Sequence, residues 1–201
     1  MILERKRLLP AFGHVGTAIR QPAQLATAWQ EGTLDPLVIP VFLATAAFGL
    51  SVYGMTMHLS QGAGAMLRGA TLAPVAAGAA WLLALPALHI VGAALGSRLS
   101  AGSVLLAASA SVAFAAMALL ASVPISWFFQ LALPEPGVSD AINLVVFIGV
   151  GACMADVLRR MLRAMEPGSH IFALVWLGLL GLIATELFVL LGLLGHPGGV
   201  F

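Results

Sequence analysis

The chain has 201 residues, 61% of them hydrophobic and 8% charged, with a mean hydropathy of +1.04. A water-soluble domain normally carries about a quarter of its residues as charges, and nine Lys+Arg with eight Asp+Glu cannot cover a soluble exterior of this size. The numbers exclude a soluble globular domain and put the chain in a bilayer. A formal net charge of +1 gives no electrostatic footprint for nucleic acid. One cysteine, Cys153, excludes an internal disulfide framework and any multi-thiolate metal site built from this chain alone. Arg outnumbers Lys eight to one and Ala is abundant, which suggests a GC-rich bacterial coding sequence.

Residues 1–36 form an N-terminal segment. After Arg5, Lys6 and Arg7 the apolar stretch is short and broken by Pro10, Gly13, His14 and Gly16, with no small-residue cleavage site, so it does not read as a cleavable signal. Pro22, Leu25 and Trp29 fall at helical spacing with proline first, which predicts a short amphipathic helix on the cytoplasmic surface.

Residues 37–201 read as an all-α transmembrane domain of five helices. Crossing the roughly 30 Å hydrocarbon layer takes about 20 apolar helical residues. Five segments qualify: Leu37 to His58, Leu72 to Gly96, Ser103 to Leu133, Val138 to Leu158 and Ile171 to Leu194. Turn chemistry separates them at Ser60-Gln61-Gly62, Gly96-Ser97-Arg98, Pro134-Glu135-Pro136-Gly137 and Glu166-Pro167-Gly168-Ser169. The third segment is expected to bend or break near Pro124, with Trp127, Phe128 and Phe129 at an interface. Small residues Gly149, Gly151 and Ala152 in the fourth span, and Gly178 and Gly181 in the fifth, are expected to let helices approach closely.

Orientation follows from the basic residues, which are retained on the cytoplasmic side. Arg5, Lys6, Arg7, Arg20, Arg98, Arg159, Arg160 and Arg163 share one side, eight of the nine, and only Arg68 is opposite. The N-terminus is predicted cytoplasmic, and Gly195 to Phe201 lie on the far side of a bacterial inner membrane.

An ionisable group within a span raises a functional hypothesis. Glu186 lies about 24 Å along the fifth span at helical rise, and Thr56 and Ser122 reach a similar depth. It reads either as a proton or cation site or as a polar contact between helices. His89 follows Pro86 near the cytoplasmic end of the second span. It reads as a relay or haem ligand, or as a packed side chain bonded to a carbonyl freed by Pro86; no second histidine at matching depth supports haem. Asp156 precedes Arg159 and Arg160 by three and four residues, the spacing of helical ion pairs. No Gly-rich phosphate loop, nucleophile elbow, paired carboxylates or HExxH pattern occurs, so neither an enzyme nor a cofactor is expected.

The order of parts resembles that of bacterial five-span membrane proteins of the Yip1-like type, including a group labelled actin-binding WH2-domain proteins. The resemblance rests on Pro22, Leu25 and Trp29, on Leu85-Pro86-Ala87-Leu88-His89 with Gly96-Ser97-Arg98-Leu99-Ser100, and on Trp176, Gly181 and Ala184-Thr185-Glu186 in the last span. The group typically has Gln where this chain has Glu186, and an Arg-Pro-Phe that this chain lacks. The resemblance implies the fold. Together with spans nearly free of chemistry, the leading expectation is a non-enzymatic scaffold or adaptor, binding a membrane-protein partner or itself in the lipid bilayer. The alternative is a small proton- or ion-coupled transporter using Glu186.

Overall fold

The computed structural model describes residue 16 and residues 20–133, 135–168 and 170–194. Arg5, Lys6, Arg7, His14, Pro134, Ser169 and the segment 195–201 lie outside the described residues. Among the described residues six helices follow in order: α1 (Pro22–Gln30), α2 (Val38–Met57), α3 (Ala63–Ala94), α4 (Ala101–Ala132), α5 (Pro136–Met165) and α6 (His170–Leu190), with a 3₁₀ turn at Leu59–Gln61. No strand occurs among the described residues. Helices α2 to α6 are each long and apolar enough to cross a membrane, and the protein is a multi-pass, all-α membrane protein. In lipid every backbone polar group must be satisfied within the segment, and the helix does this alone.

The connections are short, so successive spans run in opposite directions. Cross-helix hydrogen bonds fix which ends meet. The Gln30 amide donates to the Met165 carbonyl, and Ser97 and Arg98 meet Glu166; at the other end the Arg68 guanidinium donates to the Leu191 carbonyl. The two ends are called here the Glu166 end and the Arg68 end.

The five spans close into a ring in the order α3, α2, α4, α5, α6 and back to α3. Helices α5 and α6 meet more sparingly than the other neighbours, and α3 and α4 scarcely touch although they are consecutive. α4 is the most enclosed span, with 61% of its apolar window buried against 17% for α6. Its inner surface is built from small residues, among them Ala107, Ala108, Ser109, Ala110 and Ser111, and the two serine hydroxyls return to carbonyls of their own helix.

The predicted spans are present, with shifted ends. α3 starts nine residues before the expected Leu72, taking in Arg68, and α5 runs on past Leu158 through Arg159, Arg160 and Arg163. At about 1.5 Å per residue the 32 residues of α3 and of α4 reach about 48 Å, more than the roughly 30 Å hydrocarbon layer, so their ends extend to the headgroups or the helices tilt. Of the bend or break expected at Pro124, the break does not occur: α4 is continuous through it, and α3 through Pro74 and Pro86. Packing against neighbouring helices outweighs the local preference against proline.

Three helix ends are set by glycine in the left-handed region. Gly32, Gly96 and Gly192 have φ of 70°, 88° and 66°. After each, the two amides of the turn bond back in the Schellman pattern: Gly96 N–H to Ala93 and Ser97 N–H to Gly92, with the same pairing at Thr33 to Ala28 and at Leu193 to Phe188. Ser100 then caps α4, its Oγ accepting from the Ser103 amide at 3.2 Å.

The predicted amphipathic helix is α1. Its apolar face carries Pro22, Leu25 and Ala26, all buried, and lies on α5 and more lightly on α4. It therefore covers protein rather than resting on lipid alone, and Gly102 leaves room for the Trp29 ring.

Close helix approach falls elsewhere than expected. Around Gly149, Gly178 and Gly181 a Cβ would meet nothing within 4 Å. The tight positions are on α2 and α3. A Cβ on Gly54 would strike the Gly69 carbonyl and come 2.7 Å from the Ala73 Cβ; one on Gly69 would strike the Gly54 carbonyl and the His58 ring. Gly49 abuts Ala116 of α4 in the same way. Replacing Gly54 by Val is therefore expected to destabilise the bundle by about 1–3 kcal/mol through overpacking. Gly149→Ala is expected to stay within about 0.5 kcal/mol of the parent. Thermal unfolding in mild detergent compares the two, and equal effects would contradict the assignment.

Candidate functional site

Helices α2, α4 and α5 meet toward the Arg68 end in a buried cluster of neutral polar groups. Tyr53, Ser126, Gln130 and Asn143 are all buried. The Tyr53 hydroxyl donates to Asn143 Oδ1 at 3.0 Å. Its one proton is thereby used, so across the 3.1 Å contact with Ser126 Oγ the serine donates and the phenol oxygen accepts. Gln130, one turn beyond Ser126 on α4 and 3% exposed, has no partner for Oε1 or Nε2 among the described residues. A buried amide left so is costly by about 1–3 kcal/mol. Beside the cluster, His58 Nδ1 lies 3.1 Å from the Gly54 carbonyl. A carbonyl only accepts, so Nδ1 carries the proton.

Below this cluster lies a cavity of about 530 Å³ to which all five spans contribute. An aromatic series links the two: Tyr53 packs edge-on to Phe147 and Phe147 to Phe188, each pair 5.6 Å between ring centres, and Phe147 and Phe188 line the cavity. Among the described side chains that line it only Thr185 is polar, and that hydroxyl donates to the Gly181 carbonyl.

The residues singled out from the sequence do not converge. Thr56 is buried but its hydroxyl donates to the Val52 carbonyl of its own helix, and Ser122 likewise donates to Ala118. Glu186 lies one turn before the end of α6, exposed on the outside of the bundle. His89 is also exposed, near the other end of α3, so it is not the packed histidine expected beside Pro86. Cys153 is exposed and free. Asp156 pairs with Arg159 at 3.1 Å and Arg160 at 2.7 Å, the helical pairing expected. No group of three or more His, Cys, Asp or Glu that could hold a metal occurs among the described residues.

Sequence reasoning missed Tyr53, Ser126, Gln130 and Asn143. A signal was present: Ser126 and Gln130 are four residues apart on one helix face, and Asn143 interrupts an apolar run. It also missed Glu166, which accepts from the Ser97 hydroxyl at 2.5 Å and from the Arg98 amide at 3.0 Å, bracing the α3–α4 connection against the end of α5.

No protein-family model matches the chain, and the curated proteins and the solved structures likewise hold no match.

The Ser97 hydroxyl, then the Arg98 amide, hold the Glu166 carboxyl below its ordinary value of 4.5. A depressed carboxyl contributes stability that is complete above the ordinary value and is lost as pH falls through the lowered one. Exchange protection of the Arg98 amide, referred to its intrinsic rate, is expected to be constant near neutrality and to fall as pH drops through the carboxylate range. Glu166→Gln should remove the pH dependence; protection in the parent that does not fall in acid would contradict the brace.

Proposed function

We propose that the protein is a non-enzymatic integral membrane scaffold or adaptor of the Yip1-like type, engaging a membrane-protein partner or a second copy of itself through intramembrane helix faces. The observation that supports this reading is the setting of Glu186. It stands on the outer surface of α6 among exposed Leu182, Val189 and Leu190. An ionisable group on a lipid-facing surface is unfavourable, and a hydrogen-bonding group on a docked helix offsets that cost.

Ion-coupled transport through Glu186, the alternative, requires the carboxyl to face a path shared with Thr56 and Ser122, whereas it points away from the ring. A photo-crosslinker at Leu182 tests the adaptor reading in native membranes. Adducts to a partner or a second copy are expected, weakened roughly three- to tenfold by Glu186→Leu, the effect of losing an interhelical hydrogen bond of about 0.6–1.5 kcal/mol. A lone monomer without adducts sinks the reading, and proton flux in liposomes abolished by Glu186→Gln would replace it with transport.

The same proposal sets the Glu166 end in the cytoplasm of a bacterial inner membrane. Arg20, Arg98, Arg159, Arg160 and Arg163 gather there and Arg68 lies opposite, the asymmetry that orients membrane proteins. In a Cys153→Ala background, an impermeant maleimide is expected to label Gln61→Cys in intact spheroplasts, and Ser97→Cys only after permeabilisation. The reverse pattern would invert the topology.

A further inference from the structure

The ring of spans is not filled. Its cavity of about 530 Å³ falls in the roughly 300–1,000 Å³ range of sites that hold a small ligand. Its floor is buried protein: Ala115, Ala116 and Leu119 of α4 and Val150 of α5. Its rim is exposed: Ile148 and Gly151 on α5, facing Gly178, Gly181 and Thr185 on α6. The opening therefore lies between α5 and α6, the ring neighbours that pack most sparingly, and faces the hydrocarbon of the bilayer rather than water.

Three features say what enters it. The first is chemistry: the walls offer no charge, and the one hydroxyl, of Thr185, is engaged with its own helix. The second is width. No atom lies within 4 Å of where a Cβ would stand on Gly151, Gly178 or Gly181, so the gap between α5 and α6 is open to a slender apolar chain. The third is length. The lining on α6 runs from Leu177 to Phe188, about 16 Å at helical rise, which matches one leaflet of a roughly 30 Å hydrocarbon layer. Wall atoms facing empty space forgo the dispersion contacts that a close-packed interior makes, and the medium at the opening is acyl chain.

We propose that this cavity is a lipid-binding site that takes one acyl chain from the bilayer, entering between α5 and α6. The glycines of the rim then have a role distinct from helix packing. With nothing within 4 Å of a Cβ at Gly151, Gly178 or Gly181, their missing side chains leave the width that the chain occupies.

The test uses the full-length protein reconstituted in phosphatidylcholine vesicles, with a trace of phosphatidylcholine bearing a diazirine near the methyl end of one chain. Adducts are expected on the cavity wall, at Leu119, Phe147 and Ala184, in excess over the outward Leu82 and Leu83 of α3. Gly181→Leu, which fills open space, is expected to cut the wall adducts about tenfold, equivalent to roughly 1.4 kcal/mol of affinity, without lowering thermal stability. Gly149→Leu, outside the cavity, should leave them unchanged. If Gly181→Leu does not fold, Gly151→Leu narrows the same opening from α5 and takes its place. Wall labelling no greater than outward labelling, labelling unchanged in the filled variant, or crosslinking of the wall to another protein chain would each overturn the proposal.

Discussion

The crossing of α2 and α3 at Gly54 and Gly69, backbone against backbone, sets the positions of the other helices. Neither residue has a Cβ, and neither site has room for one. On its other side α2 presses Gly49 against Ala116 of α4. A helix held this tightly between two others acts as a wedge, so α3 and α4 scarcely meet although only residues 95–100 separate them. α5 then seats on α4 and α6 on α3, and these two outermost helices close the ring with the contact that is left over. The cavity follows from that order of packing. Tight contact where glycines face backbone, and open space where glycines face the seam, are two results of one residue type.

Much of the fold was legible in the sequence because the bilayer permits so few solutions. A run of about 20 apolar residues with no water to satisfy its backbone has to be a helix, and five such runs gave five helices. A helix end was legible where chemistry marks it, as at Gly96, whose left-handed turn is a local device, whereas the Ser100 cap that starts α4 was not anticipated. Ends were not legible where hydropathy is a poor guide to helicity. Arg68 and the Arg159 to Arg163 turn lower hydropathy without disfavouring helix, so α3 and α5 run on past the apolar stretch. A break at Pro124 did not form for a related reason: a proline signal is local, whereas α4 is held by neighbours on most of its surface.

The interior was harder to read. Spacing identifies which residues are small but not which way each helix faces, so Gly149, Gly178 and Gly181 were expected at contacts that Gly49, Gly54 and Gly69 make instead. The cost of ionisable groups in lipid drew attention to Glu186 and His89, but spacing alone does not give the bearing of a side chain, and both stand exposed on their helices. The neutral groups that do meet inside, Tyr53 with Ser126 and Asn143, come from three helices. Matching their depths requires the register of each helix, which composition does not supply.

The attachment of α6 determines what the outside of the bundle presents. Its Trp176 indole donates to the Ala84 carbonyl at 2.7 Å, and the Arg68 guanidinium holds the Leu191 carbonyl just past its other end. Both partners belong to α3. A rod pinned at two points to one support cannot spin about its long axis, and Glu186, ten residues after Trp176, is offset from that pin by about 80° around the helix. The bearing of the carboxyl is thus inherited from α3, two spans removed from the nearest neighbour in sequence that could have set it. An insertion of a single residue between Trp176 and Glu186 would turn the acid by about 100° while leaving composition, hydropathy and span length almost untouched.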